Sequence, residues 1–228
     1  MITASMATIP SRKDILRKSV DSIYPQVDKI HIAFNYRDEP VPEWIQEYPN
    51  IEYSVHDNSM GDAAKFYGAQ GANGYVLIVD DDMLYPPDFA SKLLGKVDKY
   101  SCVVCVAGSM MPGKVNSYYK DRKIVATART KKQCKSDTFV HIGTTCGMAY
   151  NTEHITFPLS VFEKPNMADV WMSIHCHRQS IKILCIKKNQ DWLKSADNMR
   201  ERYTIYGTRD EHDDIQAEAC KTVSWGAL

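Results

Sequence analysis

The apolar positions of this 228-residue chain fall in short unbroken runs rather than in strict alternation. ITASMATI (2–9), KIHIAF (29–34), NIEYSVHD (50–57), YVLIV (75–79) and CVVCVAG (102–108) predict five strands. Stretches with helical spacing lie between them. DILRKSVDSIY places Ile15, Val20 and Ile23 on one stripe with Leu16 beside it, and Ser11, after Pro10, is the expected N-cap. GDAAKFYGAQGA (61–72) predicts a helix ending near Gly71–Gly74, and PPDFASKLLGKVDKY (86–100) another, with proline tolerated in its first turn. Fully apolar strands alternating with helices are the pattern of a parallel sheet covered on both faces. The expected class is α/β, and ligands of such sheets collect at the carboxyl ends of the strands.

The second half is less regular. Residues 113–140 are polar and basic and read as a hairpin or an excursion. HIGTTCGMAYN (141–151) predicts a turn leading into a strand, MADVWMSIHCHRQSI (167–181) a helix, and IKILCIKK (181–188) a further strand. The charged C-terminal segment predicts a helix near its end. Neither an internal repeat nor a low-complexity linker interrupts the chain, so one domain over 1–228 is expected.

Lysine plus arginine equals aspartate plus glutamate at 28 each, so no bulk charge points to a stable nucleic-acid partner or to disorder, although a local basic groove is not excluded. No run approaches the 18–20 apolar residues or so of a membrane span, and the first residues lack the basic-then-apolar order of a signal peptide. Seven cysteines at irregular spacing read as reduced thiols. A cytoplasmic location is expected, the host cytoplasm for a viral chain. Cys102 and Cys105 have the spacing of a metal or redox pair, but within an apolar run the favoured reading is a buried strand.

YVLIV runs directly into Asp80, Asp81 and Asp82. Three adjacent carboxylates at a strand end raise one another's pKa unless a cation compensates. A solvated turn is one solution. A hard divalent cation such as Mg²⁺ or Mn²⁺, shared between carboxylates and phosphate oxygens, is the other.

These stretches, in this order, resemble a small GT-A glycosyltransferase of the family-2 type, a Rossmann-like nucleotide-diphospho-sugar transferase fold. TIPSRKDILRKSVDSIYPQVDKIHIAFN resembles the opening strand, helix and second strand. GDAAKFYGAQGANGYVLIVDDDMLYPPDF resembles the helix and strand carrying the family's DxD motif. MADVWMSIHCHRQ resembles the acceptor-side helix that opens with an acidic residue. The likeness spans roughly 1–100 and 140–190, and its DxD part is the most specific.

The resemblance implies a donor half at 1–108 and an acceptor half at 109–228. It implies that Thr8, Pro10 and Arg12 border the nucleotide, that Asn35 or Asp57 faces base and ribose, and that Lys65 meets the diphosphate. Asn35 stands where an acidic residue is more usual. Asp80 and Asp82 match the outer pair of DxD, with Asp82 the better metal ligand and Asp80 nearer the ribose; Asp81 has no assigned role beyond the nucleotide-sugar site. Asp169 matches the catalytic base of inverting members. The implied cofactor is Mn²⁺ or Mg²⁺, the donor a nucleotide-diphosphate sugar with UDP-sugar favoured, and the partner a hydroxyl acceptor such as a glycan.

Blander readings stand beside these. Asp169 fits a helix cap, Lys65 a solvated helix residue, and Trp171 a core residue rather than a sugar platform. His175 and His177 diverge on a helix. His212, within RDEHDD, fits a late metal ligand or a solvated face. The rival functions are a sugar-phosphate nucleotidyltransferase, against which TIPSRK counts for want of glycine, and a non-catalytic nucleotide-sugar-binding module.

Overall fold

A computed structural model describes residues 1–128, 134–196 and 209–226, with the side chains of 209–211 left aside. Its centre is an eight-stranded sheet. The strands are β1 (Ile2–Thr8), β2 (Lys29–Phe34), β3 (Ile51–Val55), β4 (Tyr75–Val79), β6 (Val103–Cys105), β9 (Thr138–Val140), β11 (Gly147–Asn151) and β12 (Ile183–Cys185), in the order β3-β2-β1-β4-β11-β6-β12-β9. Six strands point one way, while β11 and β9 run against their neighbours. The fold is α/β with a mostly parallel sheet.

Period-two alternation sends the buried residues to opposite faces. Leu77, Val79, Val104, Ala149 and Leu184 meet α1 (Lys13–Ile23) and α2 (Phe89–Tyr100). Val76, Ile78, Cys105, Met148, Tyr150 and Ile183 meet α4 (Ala168–Arg178) and α5 (Arg209–Cys220). In α1 the buried positions are Ile15, Leu16, Ser19, Val20 and Ile23, and in α2 Phe89, Ala90, Leu93, Leu94 and Val97, the same one-sided stripe twice. In α4 seven of eleven residues are buried, so that helix is part of the core.

Three expectations are corrected. Ser11 is not the N-cap of α1; it lies in a single 3₁₀ turn, Pro10–Arg12, and α1 starts at Lys13 after Arg12, without a side-chain cap. Residues Gly61–Ala69 wind as a 3₁₀ helix rather than an α-helix. CVVCVAG splits: β6 stays in the large sheet, and β7 (Gly108–Met110) joins β8 (Lys123–Ala126) and β10 (Ile142–Gly143) in a three-stranded sheet. The excursion at 113–140 holds α3 (Tyr118–Asp121), β8 and β9; its residues 129–133 lie outside the described residues, as do 197–208 of the C-terminal segment. After the triplet, β5 (Met83–Leu84) pairs with β13 (Lys194–Ser195), and the Ala196 amide donates to the Asp82 carbonyl at 2.8 Å.

Candidate active site

β1, β2 and β4 are adjacent and parallel, so Thr8, Asn35 and Asp80 emerge at the same edge of the sheet. Thr8 and Asn35 are buried, and the Asn35 amide N–H donates to the Thr8 carbonyl at 2.9 Å. The Asn35 side chain donates to the Gly61 carbonyl at 3.0 Å, while its own Oδ1 is buried without a partner. Gly61 has φ +54°, and a Cβ there would lie 2.3 Å from Asn166 Oδ1, so glycine lets the start of the 3₁₀ helix press against the entry to α4.

The triplet splits into three environments. Asp81 is buried and takes Arg12 Nη1 on Oδ1 at 2.6 Å; the same nitrogen lies 3.4 Å from Asp82 Oδ2. Burial nonetheless pushes the Asp81 carboxyl up to about 6, against the pull of Arg12 and with the push of Asp82. The Thr8 hydroxyl is near enough to favour the charged form but outside hydrogen-bond geometry, and Asp81 Oδ2 is left unpartnered. Arg12 therefore serves first as the counter-charge of the triplet. Asp80 faces the other way and takes Lys65 Nζ at 2.5 Å. Tyr85 braces it from behind: the tyrosine oxygen accepts from the Asp80 amide at 2.7 Å and lies 3.1 Å from the Cys146 carbonyl.

Lys65 is almost fully buried, and the tight winding explains where it points. Three residues per turn stack Asp62 and Lys65 on one side of the 3₁₀ helix. Ser5 Oγ donates to the Lys65 carbonyl at 2.5 Å and pins that turn to β1. Lys65 Nζ also reaches Thr145 Oγ1 at 3.3 Å, and the charges of Asp80, Asp62 and Asp169 raise its pKa against the cost of burial.

Asp169 lies in the first turn of α4, as expected, but it does not cap that helix. Its Oδ1 accepts from both the amide and the hydroxyl of Thr145, each at 2.7 Å. Burial raises its pKa, while Lys65 and the two Thr145 bonds pull it down. The carboxylate at the head of α4 is Asp62, which accepts from the Ala168 amide at 3.2 Å and 3.3 Å and is itself pushed by burial to about 6.

The structure thus brings Thr8, Arg12, Asn35, Lys65, Asp80, Asp81, Asp82 and Asp169 to one end of the sheet. Asp57 is turned aside: it is exposed and engaged with Arg37 Nη2 at 3.0 Å and the Ser59 amide at 3.0 Å. Asp62, Tyr85 and Thr145 escaped the sequence reading. Asp62 had a signal, since it precedes Lys65 by three residues, about one helical turn; Thr145 had only its polarity within an apolar approach to β11.

At Cys102, Cys105, Trp171, His175 and His177 the modest readings stand. Cys102 and Cys105 are buried free thiols. Trp171 is core. His175 bonds the Thr156 carbonyl while His177 packs on Trp225. His212 lies in α5, and among the described residues no group of three His, Cys, Asp or Glu side chains is arranged to hold a metal ion.

Five carboxylates (Asp62, Asp80, Asp81, Asp82, Asp169) face two cations (Arg12, Lys65) across this end of the sheet. Such a site repels a bare diphosphate and suits one that arrives with a divalent cation. One or two carboxylates plus phosphate oxygens and water make a normal shell for Mg²⁺ or Mn²⁺.

No curated protein matches the chain. A family model described as Glycosyl transferase family 2 matches residues 9–155. That span is more than half of the chain; it contains Arg12, Asn35, Lys65, the triplet and Thr145, and stops short of Asp169. Together with the sheet order and the acidic end of β4, the match makes this chain a glycosyltransferase of GT-A fold that uses a nucleotide-sugar donor, and it belongs to glycosyl transferase family 2.

Proposed function

We propose that this is a metal-dependent, inverting transferase that moves a hexose from a UDP-sugar to a hydroxyl acceptor, working as a single domain over 1–228. The observation that carries the reading is the junction at Lys65, whose ammonium reaches Asp80 on the donor side and Thr145, the partner of Asp169, on the other.

The anomeric C–O bond to the β-phosphate breaks as the acceptor oxygen bonds the anomeric carbon, and the hydroxyl proton passes to Asp169. A carboxylate whose pKa burial has raised is a stronger base than an exposed one, and Thr145 keeps it aimed. Lys65 offers charge where the departing diphosphate gains it. Asp80 and Asp82 would hold Mn²⁺ or Mg²⁺, which when bound supplies further neutralisation of the diphosphate. Asn35 Oδ1, a buried acceptor without a donor, is matched to an N–H of the base. Thr8, Pro10 and Arg12 border the nucleotide, with Arg12 also holding Asp81.

A thermal-shift series with UDP-sugars, with and without Mn²⁺, tests the reading. A hundredfold excess of ligand over Kd adds about 2.7 kcal/mol to stability. Stabilisation is expected only with sugar nucleotide and metal together, and Asp82→Ala should lose it while melting normally without metal. Release of pyrophosphate from UTP and a sugar phosphate, without transfer, would defeat the proposal.

A further inference from the structure

The acidic end of β4 already carries two cations of the protein's own. Lys65 Nζ lies 2.5 Å from Asp80 Oδ1. Arg12 Nη1 lies 2.6 Å from Asp81 Oδ1 and 3.4 Å from Asp82 Oδ2. Each carboxylate that would hold a divalent ion thus has an ammonium or a guanidinium beside it. In keeping with that division, among the described residues no three acidic, histidine or cysteine side chains converge on a metal position.

The two cations are held differently. Arg12 serves chiefly Asp81, whose side chain is only 1% exposed and cannot trade its partner for water. Lys65 serves Asp80, whose side chain is 21% exposed, so that water or another cation can reach it. The Lys65 backbone is fixed, because Ser5 Oγ donates to its carbonyl at 2.5 Å. Its ammonium has a second partner: the Thr145 hydroxyl gives its hydrogen to Asp169 and accepts from Lys65 at 3.3 Å. A compact charge on a flexible four-carbon stem can give up Asp80 and keep Thr145.

Mg²⁺ bonds its oxygen ligands at about 2.1 Å. An ion that close to Asp80 Oδ1 and the Lys65 ammonium on the same oxygen repel one another strongly. A diphosphate removes the conflict, since it offers the ammonium another anion within the same cleft. We propose that Lys65 and the divalent ion exchange on Asp80: the ammonium holds Oδ1 before the donor arrives and passes to the diphosphate as the metal–nucleotide enters. Lys65 thereby makes metal binding conditional on the nucleotide. The exchange rests on the metal-dependent glycosyltransferase reading for both the ion and the diphosphate.

The test measures Mn²⁺ affinity by electron paramagnetic resonance, which counts free Mn²⁺, for wild type, Lys65→Met and Lys65→Gln, each first shown to melt normally. Titrations run without nucleotide and with saturating UDP, and the Mn²⁺ held by UDP itself is subtracted from a protein-free series. Without UDP both variants are expected to bind Mn²⁺ about tenfold more tightly than wild type, because no ammonium competes for Asp80. With UDP the advantage should shrink to about threefold or less, since the wild-type ammonium has left Asp80. Adding Asp80→Asn to Lys65→Met should remove the gain. Equal or weaker binding by the variants without UDP overturns the exchange, as does a gain of the same size with UDP or one that survives Asp80→Asn. Wild type also decides by itself: a Mn²⁺ affinity that UDP leaves unchanged overturns the exchange whatever the variants do. If none of these proteins binds Mn²⁺ even with UDP, the metal reading is defeated and the exchange with it. A missing gain alongside UDP-dependent Mn²⁺ binding strikes the exchange alone.

Discussion

Thr145 holds Asp169 by two bonds to the same oxygen: its amide and its hydroxyl both donate to Oδ1 at 2.7 Å. The hydroxyl also lies 3.3 Å from Lys65 Nζ, whose other partner is Asp80. A loop residue therefore joins the head of α4 to the end of β4. Two of the charged groups in this chain are far apart in sequence, and Thr145 is what aligns them.

Asp169→Asn should abolish transfer and leave donor binding intact. The amide can still accept from Thr145 but cannot take a proton, so kcat is expected to fall by about 10²–10⁴. Removing one charge from an over-acidic cleft should leave the melting temperature unchanged or higher. Full transfer activity in this variant would remove Asp169 from the mechanism.

Thr145→Val should shift the pH profile rather than merely lower it. The hydroxyl bond favours the charged form of Asp169, so its loss raises a pKa that burial has already raised. The acid limb of kcat/KM is expected to move to higher pH, with activity recovering as pH increases. A uniform loss across pH would indicate a packing role alone.

Asp62→Asn should stabilise the metal-free protein at alkaline pH. Burial raises the Asp62 carboxyl from 3.8 to about 6, so the folded state favours its protonated form. That contribution is full below 3.8 and is lost as pH rises through 6. Asparagine carries no charge and keeps an acceptor for Ala168, so its advantage at pH 8 or so is about 1–3 kcal/mol, at 1.36 kcal/mol per pKa unit. Urea denaturation at several pH values should show the advantage shrinking as pH falls through 6. An advantage that grew instead would refute the assignment.

Gly68→Ala should cost about 1–3 kcal/mol through overpacking. A Cβ there would meet His31 Cβ at 2.3 Å and Ser5 Oγ at 2.4 Å. Ser5 is also the residue that pins the Lys65 carbonyl, so donor KM should rise as well. Gly95→Ala in α2 is the control: its Cβ meets nothing within 4 Å, and helix propensity predicts a gain of up to about 1 kcal/mol. Equal effects at the two positions would mean that the 3₁₀ segment does not lie flush on the sheet.

β2 and β4 were legible to the residue, because Lys29–Phe34 and Tyr75–Val79 are apolar runs bounded by polar or turn residues. The helix at 61–72 was legible as helical but not as 3₁₀. Its winding follows from close contact with β1 and β2, which spacing along the chain does not encode. CVVCVAG read as one strand, yet its two ends join different sheets, since strand pairing is a long-range choice. Asp57 looked equivalent to Asn35 as a polar residue after a strand, but Asn35 is buried, whereas Asp57 is exposed and engaged with Arg37 and the Ser59 amide.

The sequence by itself determined the α/β class, the acidic end of β4, the basic residue at 65 and the acidic opening of α4. These are local properties, set by hydrophobic runs, turn residues and charge. The tertiary structure decided how the charges are divided: Arg12 to Asp81, Lys65 to Asp80, Thr145 to Asp169, and Asp62 to the head of α4. Each pairing joins residues from 15 to 106 positions apart. Burial then made the pairings necessary, because a carboxylate removed from water must find a donor or a cation, and the fold alone determines which one is within reach.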